Sequence, residues 1–133
     1  MSTTHSSAIE IEREDGTITK YRRHPNGRGF VAAGAEVHSS ALVSRGAYVE
    51  TAAEVAVGAQ VYEGAWIEEG AFVGAFAIIG AGARIGRGAT IGHNARIGSR
   101  AYIEAGTKIP PSDTIRADMR TSASRRAGAG ARH

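Results

Sequence analysis

The sequence predicts an all-β solenoid, in which one short unit repeats along an axis. From Val31 onward the chain divides into fifteen consecutive six-residue units, and every unit begins with Val or Ile. The fifth position is Ala twelve times in succession, from Ala35 to Ala101. A fixed short period is typical of solenoids, whose units bury their faces only against their neighbours. A period of six also excludes an amphipathic helix, because helical apolar residues recur every 3.6 positions.

The residue types within each hexad fit a strand followed by a sharp corner. β-Branched residues at the first position favour a short strand. Glycine and other small residues favour the tight turns that must separate the strands. We expect the Val, Ile and Ala positions to point into the core, with Ala at the corner because little more than a methyl group fits there.

The hexads of residues 31–120 resemble those of the hexapeptide-repeat superfamily, whose members form left-handed parallel β-helices. The resemblance implies three hexads in each triangular coil, and therefore about five coils of 18 residues. Residues 18 positions apart are then expected to lie in one column, separated by about 4.8 Å for each coil.

The segments on either side of the hexads predict a cap and a flexible arm. The stretch AIEIEREDGTITKYRR indicates a β-hairpin that turns at Asp15-Gly16, a favoured two-residue turn. Pro110 and Pro111 remove ladder donors, so we expect coiling to weaken there. The last residues have the composition of a flexible basic arm. The predicted division is an N-terminal arm and hairpin cap at 1–30, the β-helix at 31–120, and the C-terminal tail at 121–133.

Length and composition exclude several classes of protein. A chain of 133 residues has the length of one domain. It has no cysteine, which excludes disulfides and thiolate chemistry. No stretch approaches the roughly 20 apolar residues that span a bilayer. The N-terminus has no basic region followed by an apolar run, so we expect no signal peptide and a location in the cytoplasm or in a virion.

The net charge of +3 is divided unevenly along the chain. Residues 1–82 contain 6 basic and 10 acidic side chains, whereas residues 83–133 contain 10 basic and 3 acidic ones. The basic end predicts that the C-terminal arm docks to an acidic macromolecular partner. The arginines expected to dock are Arg116, Arg120, Arg125, Arg126 and Arg132. Nucleic acid is the least favoured partner, because no aromatic residue lies between these arginines to stack on bases.

One outward column is expected to be a ladder of rings and arginines. It contains Phe30, Tyr48, Trp66, Arg84, Tyr102 and Arg120, and the column beside it contains Glu50, Glu68 and Glu104. These rings either stack on one another or form an interface. Because soluble monomers rarely expose so much aromatic surface, we predict a homotrimer. The expected seam lies on the other two faces, at Phe72, Phe76 and Ile78, which leaves the ladder for the seam or for another partner.

Whether the chain is an enzyme depends on one histidine. Many hexapeptide-repeat proteins are trimeric acyltransferases that bind an acyl-CoA between subunits and use a histidine as general base. This resemblance makes His93 the candidate base and the glycine-rich strip from Gly74 to Gly98 the candidate wall for the acyl-CoA. Against it, no insertion interrupts the fifteen hexads to enclose a substrate. His93 is also expected to lack a carboxylate partner, because its column contains Ser39, Val57, Ala75 and Pro111.

A zinc site is not expected. Some members of the superfamily are carbonic anhydrases whose zinc is held by three histidines. The hexads here carry only His38 and His93, which lie about 14 Å apart along the axis by strand spacing. Zinc requires its ligands within about 2.1 Å of the ion. We therefore expect no metal and no cofactor.

A second resemblance favours a structural role. Residues 15–37, DGTITKYRRHPNGRGFVAAGAEV, look like the opening of small hexapeptide-repeat proteins of phage and prophage genomes, where an HPNGGG-like stretch leads into the hexads. Gly27 and Gly29 are expected to turn the chain from the hairpin into the first coil. The leading hypothesis is a non-catalytic, homotrimeric structural or adhesion module of a phage particle, such as a decoration protein. The alternative is an acyl-CoA-dependent acyltransferase with His93 as general base.

Overall fold

The regular structure of this chain consists of short strands. The computed structural model describes residues 8–12, 16 and 18–121, and its elements there are all β-strands. In chain order they are β1 (Ala8–Glu12), β2 (Ile18–Arg23), β3 (Phe30–Ala32), β4 (Glu36–Val37), β5 (Leu42–Val43), β6 (Tyr48–Val49), β7 (Glu54–Val55), β8 (Gln60–Val61), β9 (Trp66–Ile67), β10 (Phe72–Val73), β11 (Ile78–Ile79), β12 (Arg84–Ile85), β13 (Thr90–Ile91), β14 (Arg96–Ile97), β15 (Tyr102–Ile103), β16 (Lys108–Ile109), β17 (Thr114–Ile115) and β18 (Arg120–Thr121). Within these ranges, no helix is present that could cross a membrane.

The strands form the three faces of a triangular prism. Sheet A contains β3, β6, β9, β12, β15 and β18; sheet B contains β4, β7, β10, β13 and β16; sheet C contains β5, β8, β11, β14 and β17. Each strand pairs in parallel with the strand 18 residues further on, as Trp66 does with Arg84 and Phe72 with Thr90. The predicted left-handed parallel β-helix of about five coils is therefore confirmed.

The core is built from two positions of each hexad. The first-position Val and Ile side chains and the fifth-position Ala side chains are almost entirely buried, as Ile67, Ala83 and Ile85 illustrate with no exposed surface. The turn from β15 of sheet A to β16 of sheet B departs from this rule, because Thr107 takes the place of Ala. Thr107 is fully buried, and its Oγ1 has no hydrogen-bond partner among the described residues.

The chain turns each corner through the fourth residue of the hexad, which in most coils has a positive φ. Glycine occupies many of these positions, because it adopts the left-handed conformation without steric cost. Within the hexads the non-glycine residues with positive φ are Ala52, Phe76, Asn94, Arg100, Ser112 and Asp118, with φ between 61 and 67°. These six positions carry backbone strain that the neighbouring coils must hold in place.

The N-terminal hairpin extends sheet A. Strand β1 pairs antiparallel with β2, and β2 pairs antiparallel with β3, so the predicted hairpin covers the first edge of this sheet. The predicted two-residue turn at Asp15-Gly16 is wrong in register. Such a turn would place Glu12 opposite Thr19, whereas Glu12 lies opposite Ile18. The pair Glu12–Ile18 leaves five residues between the two strands, an odd number that a two-residue turn does not allow.

The HPNGRG segment closes the first edge of sheet C. The Gly29 N–H donates to the Val43 carbonyl at 2.8 Å, and the Val43 N–H donates to the Asn26 carbonyl at 3.0 Å. A Cβ on Gly27 would lie 2.3 Å from the Val43 oxygen. Gly27 is therefore required by close backbone approach as well as by the turn that the sequence predicted.

At the other end, coiling continues past Pro110 and Pro111, contrary to expectation. Strands β17 and β18 follow the prolines and keep their parallel pairing. In other hexads the second-position N–H donates to the next coil, as that of Gly92 does to Ile109. Pro110 lies in the last coil that the structure describes, so its missing N–H interrupts no ladder among the described residues. Most of the predicted C-terminal arm, with Arg125, Arg126 and Arg132, lies outside the described residues.

Candidate functional site

His93 lies on the corner between sheets B and C, here called the B–C corner. This corner consists of the turns 38–41, 56–59, 74–77, 92–95 and 110–113. The Asn94 N–H donates to the Ala75 carbonyl at 2.9 Å, and the Ser112 N–H donates to the His93 carbonyl at 2.8 Å. The predicted column is therefore correct, and the His93 side chain is exposed on it.

The partner of the His93 ring is an amide. Its Nδ1 lies 3.2 Å from Nδ2 of Asn94, and no ion pair to a carboxylate is found for it in the described part of the chain. Oxygen and nitrogen of an asparagine amide occupy equivalent places, so their assignment follows from the hydrogen-bond network. With Nδ2 towards the ring, as in the structure, Asn94 donates to Nδ1 and the hydrogen of the ring is on Nε2. With the amide turned over, Nδ1–H donates to Oδ1 and Nε2 keeps its lone pair.

His38 has a different role on the same corner. Its Nδ1 accepts the Ser40 N–H at 3.1 Å and lies 2.8 Å from the Ser40 Oγ. A backbone N–H can only donate, so Nδ1 of His38 is the unprotonated nitrogen and Nε2 carries the hydrogen. His38 is therefore a turn residue. Over the described ranges, no group of three or more His, Cys, Asp or Glu side chains could hold a metal ion.

Backbone strain is concentrated on this corner. Three of the six strained hexad residues, Phe76, Asn94 and Ser112, stack on it in successive coils, with φ of 61, 61 and 64°. Each such residue costs about 1–3 kcal/mol, and positions of this kind cluster at functional sites. The Phe76 ring lies over Gly58 and remains 56% exposed. The B–C corner thus holds strained side chains where glycine would be cheaper.

The predicted glycine strip winds around the prism, so that Gly74 and Gly92 lie on the B–C corner, Gly80 and Gly98 on the corner between sheets C and A, and Gly86 on the corner between sheets A and B. On the B–C corner, a Cβ on Gly74 would lie 2.8 Å from the backbone nitrogen of His93, and one on Gly92 would lie 2.5 Å from the backbone nitrogen of Pro111. These glycines let successive coils approach closely. The result is a wall without protruding side chains directly beside His93.

The predicted aromatic ladder is present on sheet A. The Phe30 and Tyr48 rings stack with centroids 4.9 Å apart, and Tyr48 and Trp66 are 5.5 Å apart. The Arg84 guanidinium lies 5.6 Å from the Trp66 ring and 5.8 Å from that of Tyr102. These distances are within the range of cation–π contacts. The ladder therefore makes contacts within its own chain.

The hairpin covers part of this ladder. Tyr21 of β2 packs edge-on against Phe30 and Tyr48, with ring centroids 6.0 and 5.6 Å apart. Arg120 lies 4.7 Å from the Tyr102 ring and 2.6 Å from a Glu104 oxygen, so this predicted docking residue already has partners in its own chain. That the ladder also forms an interface remains a prediction.

Other predicted residues lie on the surface. Phe72 is 37% exposed, and with Phe76 and Val57 it forms an apolar area on sheet B and the B–C corner, while Ile78 on sheet C is half-buried. Arg116 is exposed on the corner between sheets C and A. The structure thus places Phe72 and Phe76 near His93. It places Arg116 and Arg120, the two predicted docking residues that it describes, on the corner between sheets C and A and on sheet A.

Sequence reasoning missed a buried carboxylate. Glu50 was expected in an outward acidic column, but only 4% of its surface is exposed. Tyr21 donates its hydroxyl to Glu50 Oε1 at 2.8 Å, and Trp66 donates Nε1–H to Oε2 at 2.7 Å. The available signal was chemical, because the O–H of a buried Tyr and the N–H of a packed Trp usually find a hydrogen-bond partner.

Comparisons with known proteins extend these observations. Residues 64–99 and 76–111 match the family model "Bacterial transferase hexapeptide (six repeats)". These two matches include His93 and the glycine wall. No curated protein sequence is significantly similar to the chain.

Solved structures with the same fold include acetyltransferases. PerB from Caulobacter crescentus, in complex with CoA and GDP-perosamine, is 25% identical, with a TM-score of 0.69 over 70% of this chain. The acetyltransferase domain of PglB from Neisseria gonorrhoeae, in complex with acetyl coenzyme A, is 20% identical, with a TM-score of 0.57 over 77% of this chain. This chain spans only 45% of the PerB chain and 57% of the PglB domain.

These findings correct the leading hypothesis. The prediction of a non-catalytic structural or adhesion module on a phage particle is wrong, because the family model describes transferases and these similar structures are of proteins bound to CoA or acetyl-CoA. An unbroken repeat and exposed aromatic rings are features of the β-helical fold. They do not distinguish a structural protein from an enzyme with this fold. Residues 64–111 are therefore similar to the hexapeptide repeats of bacterial transferases, and the chain has the same β-helical fold as PerB.

Proposed function

We propose that this β-helix is an acetyl-CoA-dependent N-acetyltransferase domain with His93 as its general base. The observation that carries the proposal is the likeness to PerB, whose structure contains CoA and GDP-perosamine. The second match to the transferase model, residues 76–111, includes His93. By the same likeness, the proposed acceptor is an amine on a nucleotide-linked sugar.

In the proposed reaction the acceptor nitrogen attacks the thioester carbonyl carbon of acetyl-CoA. The new N–C bond forms and the C–S bond breaks, so that CoA leaves with the electron pair as a thiolate. Nε2 of His93 takes the proton from the acceptor nitrogen and returns it to the thiolate sulfur. The products are an acetamide and CoA with a free thiol.

Asn94 is the proposed positioning residue for this step. Its strained backbone, with φ of 61°, turns the amide towards Nδ1 of the preceding histidine at 3.2 Å. In the proposed step the amide is turned so that Oδ1 accepts from Nδ1–H, which holds the ring in the tautomer with a lone pair on Nε2.

We infer that the domain assembles as a homotrimer. Hexapeptide-repeat acyltransferases generally act as trimers, and the exposed Phe72, Phe76 and Val57 supply an apolar seam beside the B–C corner. A neighbouring subunit would then form the second wall of a cleft whose first wall contains Gly74 and Gly92. Acyl-CoA would bind in that cleft with its thioester near His93.

The first test is native mass spectrometry of the full chain with acetyl-CoA. We expect a trimer that retains about three CoA-containing ligands. Acetyl transfer to a panel of nucleotide-linked amino sugars is then followed by release of the free thiol. His93→Ala should reduce turnover by about 10²–10⁴-fold with the trimer intact.

The matched control is His38→Ala, because His38 lies on the same corner and is also exposed to solvent. We expect its turnover to equal that of the unmodified protein. A trimer that binds no acetyl-CoA would overturn the proposal. So would equal loss of turnover in both histidine variants.

A further inference from the structure

Sheet A carries a small depression that the proposed acetyl transfer does not use. It has a volume of about 170 Å³ and is lined by Glu50, Trp66, Glu68, Glu69, Arg84 and Arg87. The depression extends from sheet A onto the corner between sheets A and B, and its lining does not include His93, which lies on the B–C corner. We propose that it is a binding site for a neutral saccharide.

The first argument is the fixed aromatic side chain at the site. Trp66 is 43% exposed, yet its indole N–H is held by Glu50 at 2.7 Å and its ring packs beside Tyr48 at 5.5 Å. A ring that is already immobilised loses little conformational entropy when a ligand packs against it. Tyr48 and Arg84 lie on either side of the ring in the column, so the exposed part of Trp66 is its outer edge, against which the C–H groups of a saccharide ring can pack.

The second argument concerns the charges around the depression. Glu68 forms an ion pair with Arg84, and the buried Glu50 accepts hydrogen bonds from the neutral donors Tyr21 and Trp66. The site therefore has no large excess of either sign that would select a strongly charged ligand. It is a polar surface with carboxylates and guanidinium groups side by side.

The third argument is the arrangement of Glu69 and Arg87. These residues occupy the same position of successive coils, and the Gly88 N–H donates to the Glu69 carbonyl at 3.0 Å. A hydroxyl group both donates and accepts. Neighbouring hydroxyls of one sugar can thus donate to the Glu69 carboxylate and accept from the Arg87 guanidinium, and hydrogen bonds to charged groups are the stronger ones.

Trp66 makes the test direct, because it is the only tryptophan of the chain. The full-length protein is titrated with four neutral probes, namely maltotetraose, cellotetraose, chitotetraose and mannotetraose, and tryptophan emission is recorded. At least one probe should give a saturable shift. Arg87→Gln and Glu69→Gln should each weaken that binding by roughly 10-fold or more, as expected for loss of a hydrogen bond to a charged group.

Glu63→Gln is the matched control, since Glu63 is an exposed carboxylate on a different corner of the same coil. Its affinity for the probe should equal that of the unmodified protein. Acetyl transfer should be unchanged in the Arg87→Gln protein, which separates this site from His93. The inference fails if none of the four probes shifts the emission, or if Arg87→Gln and Glu69→Gln bind as tightly as the control.

Discussion

Replacing Thr107 by Val should stabilise the protein. Thr107 is fully buried in a position that the preceding coils fill with Ala, and its Oγ1 has no hydrogen-bond partner among the described residues. A buried hydroxyl without a partner costs about 1–3 kcal/mol. Valine has nearly the same shape without this hydroxyl. We therefore expect Thr107→Val to raise the free energy of unfolding by about 1–2 kcal/mol.

Two further substitutions separate the hydroxyl from the packing of the methyl group. Thr107→Ser keeps the hydroxyl and removes one methyl, so it should lower the free energy of unfolding by about 1 kcal/mol. Thr107→Ala removes both groups, so the gain and the loss should nearly cancel. The expected order of stability is Val, then Thr and Ala together, then Ser.

The assay is equilibrium urea unfolding followed by circular dichroism and tryptophan fluorescence. All variants are compared at one protein concentration, because assembly raises the apparent stability of oligomers. Thr90→Val, on the outer face of sheet B, is the control and should change stability by less than about 0.5 kcal/mol. A Thr107→Val protein that is no more stable than the original would refute the argument, since its hydroxyl would then have a partner.

Three other perturbations test the N-terminal cap. Gly27→Ala should destabilise by about 3 kcal/mol in urea unfolding, because its Cβ would lie 2.3 Å from the Val43 oxygen at a φ of 108°. Burial lowers the pKa of His24 below 6.5, so the unfolded chain binds a proton that the folded protein does not. The free energy of unfolding should therefore fall as the pH drops below about 6.5, and His24→Asn should reduce this fall, as measured by unfolding at a series of pH values. Glu50→Gln should turn an amide N–H towards one of its two donors and lower the unfolding midpoint, with a change in Trp66 emission; an unchanged midpoint would contradict the hydrogen bonds assigned to Glu50.

The repeated part of the fold could be predicted closely from the sequence. A strict six-residue period fixes which side chains face inward, and an 18-residue coil fixes which residues stack. The column of Phe30, Tyr48 and Trp66 and the stacking of His93 under Ala75 follow from arithmetic alone. Each of these contacts joins residues in equivalent positions of successive coils, so the 18-residue spacing alone identifies the partners.

The contacts of the N-terminal segment could not be predicted in the same way. The register of β2, the closure of β5 by Asn26 and Gly29, and the burial of Glu50 all join non-repeating residues to the prism. Their positions depend on packing between distant parts of the chain, which has no period. The prediction of a non-catalytic module was wrong for a related reason. It rested on the absence of an inserted loop from the hexads, and this feature of the chain does not indicate what binds to its surface.

The stacking of residues 18 apart also determines how the length of this protein can change. Removing 18 residues from the middle, one complete coil, leaves every remaining side chain on its own face and shortens the prism by a single strand spacing. Removing six residues instead rotates everything beyond the cut by one face, so that the ring ladder and the histidine corner would no longer be continuous. The length of the prism can therefore change only in steps of one 18-residue coil. Variants of other sizes should differ by whole coils or by loops that leave a corner and return to it.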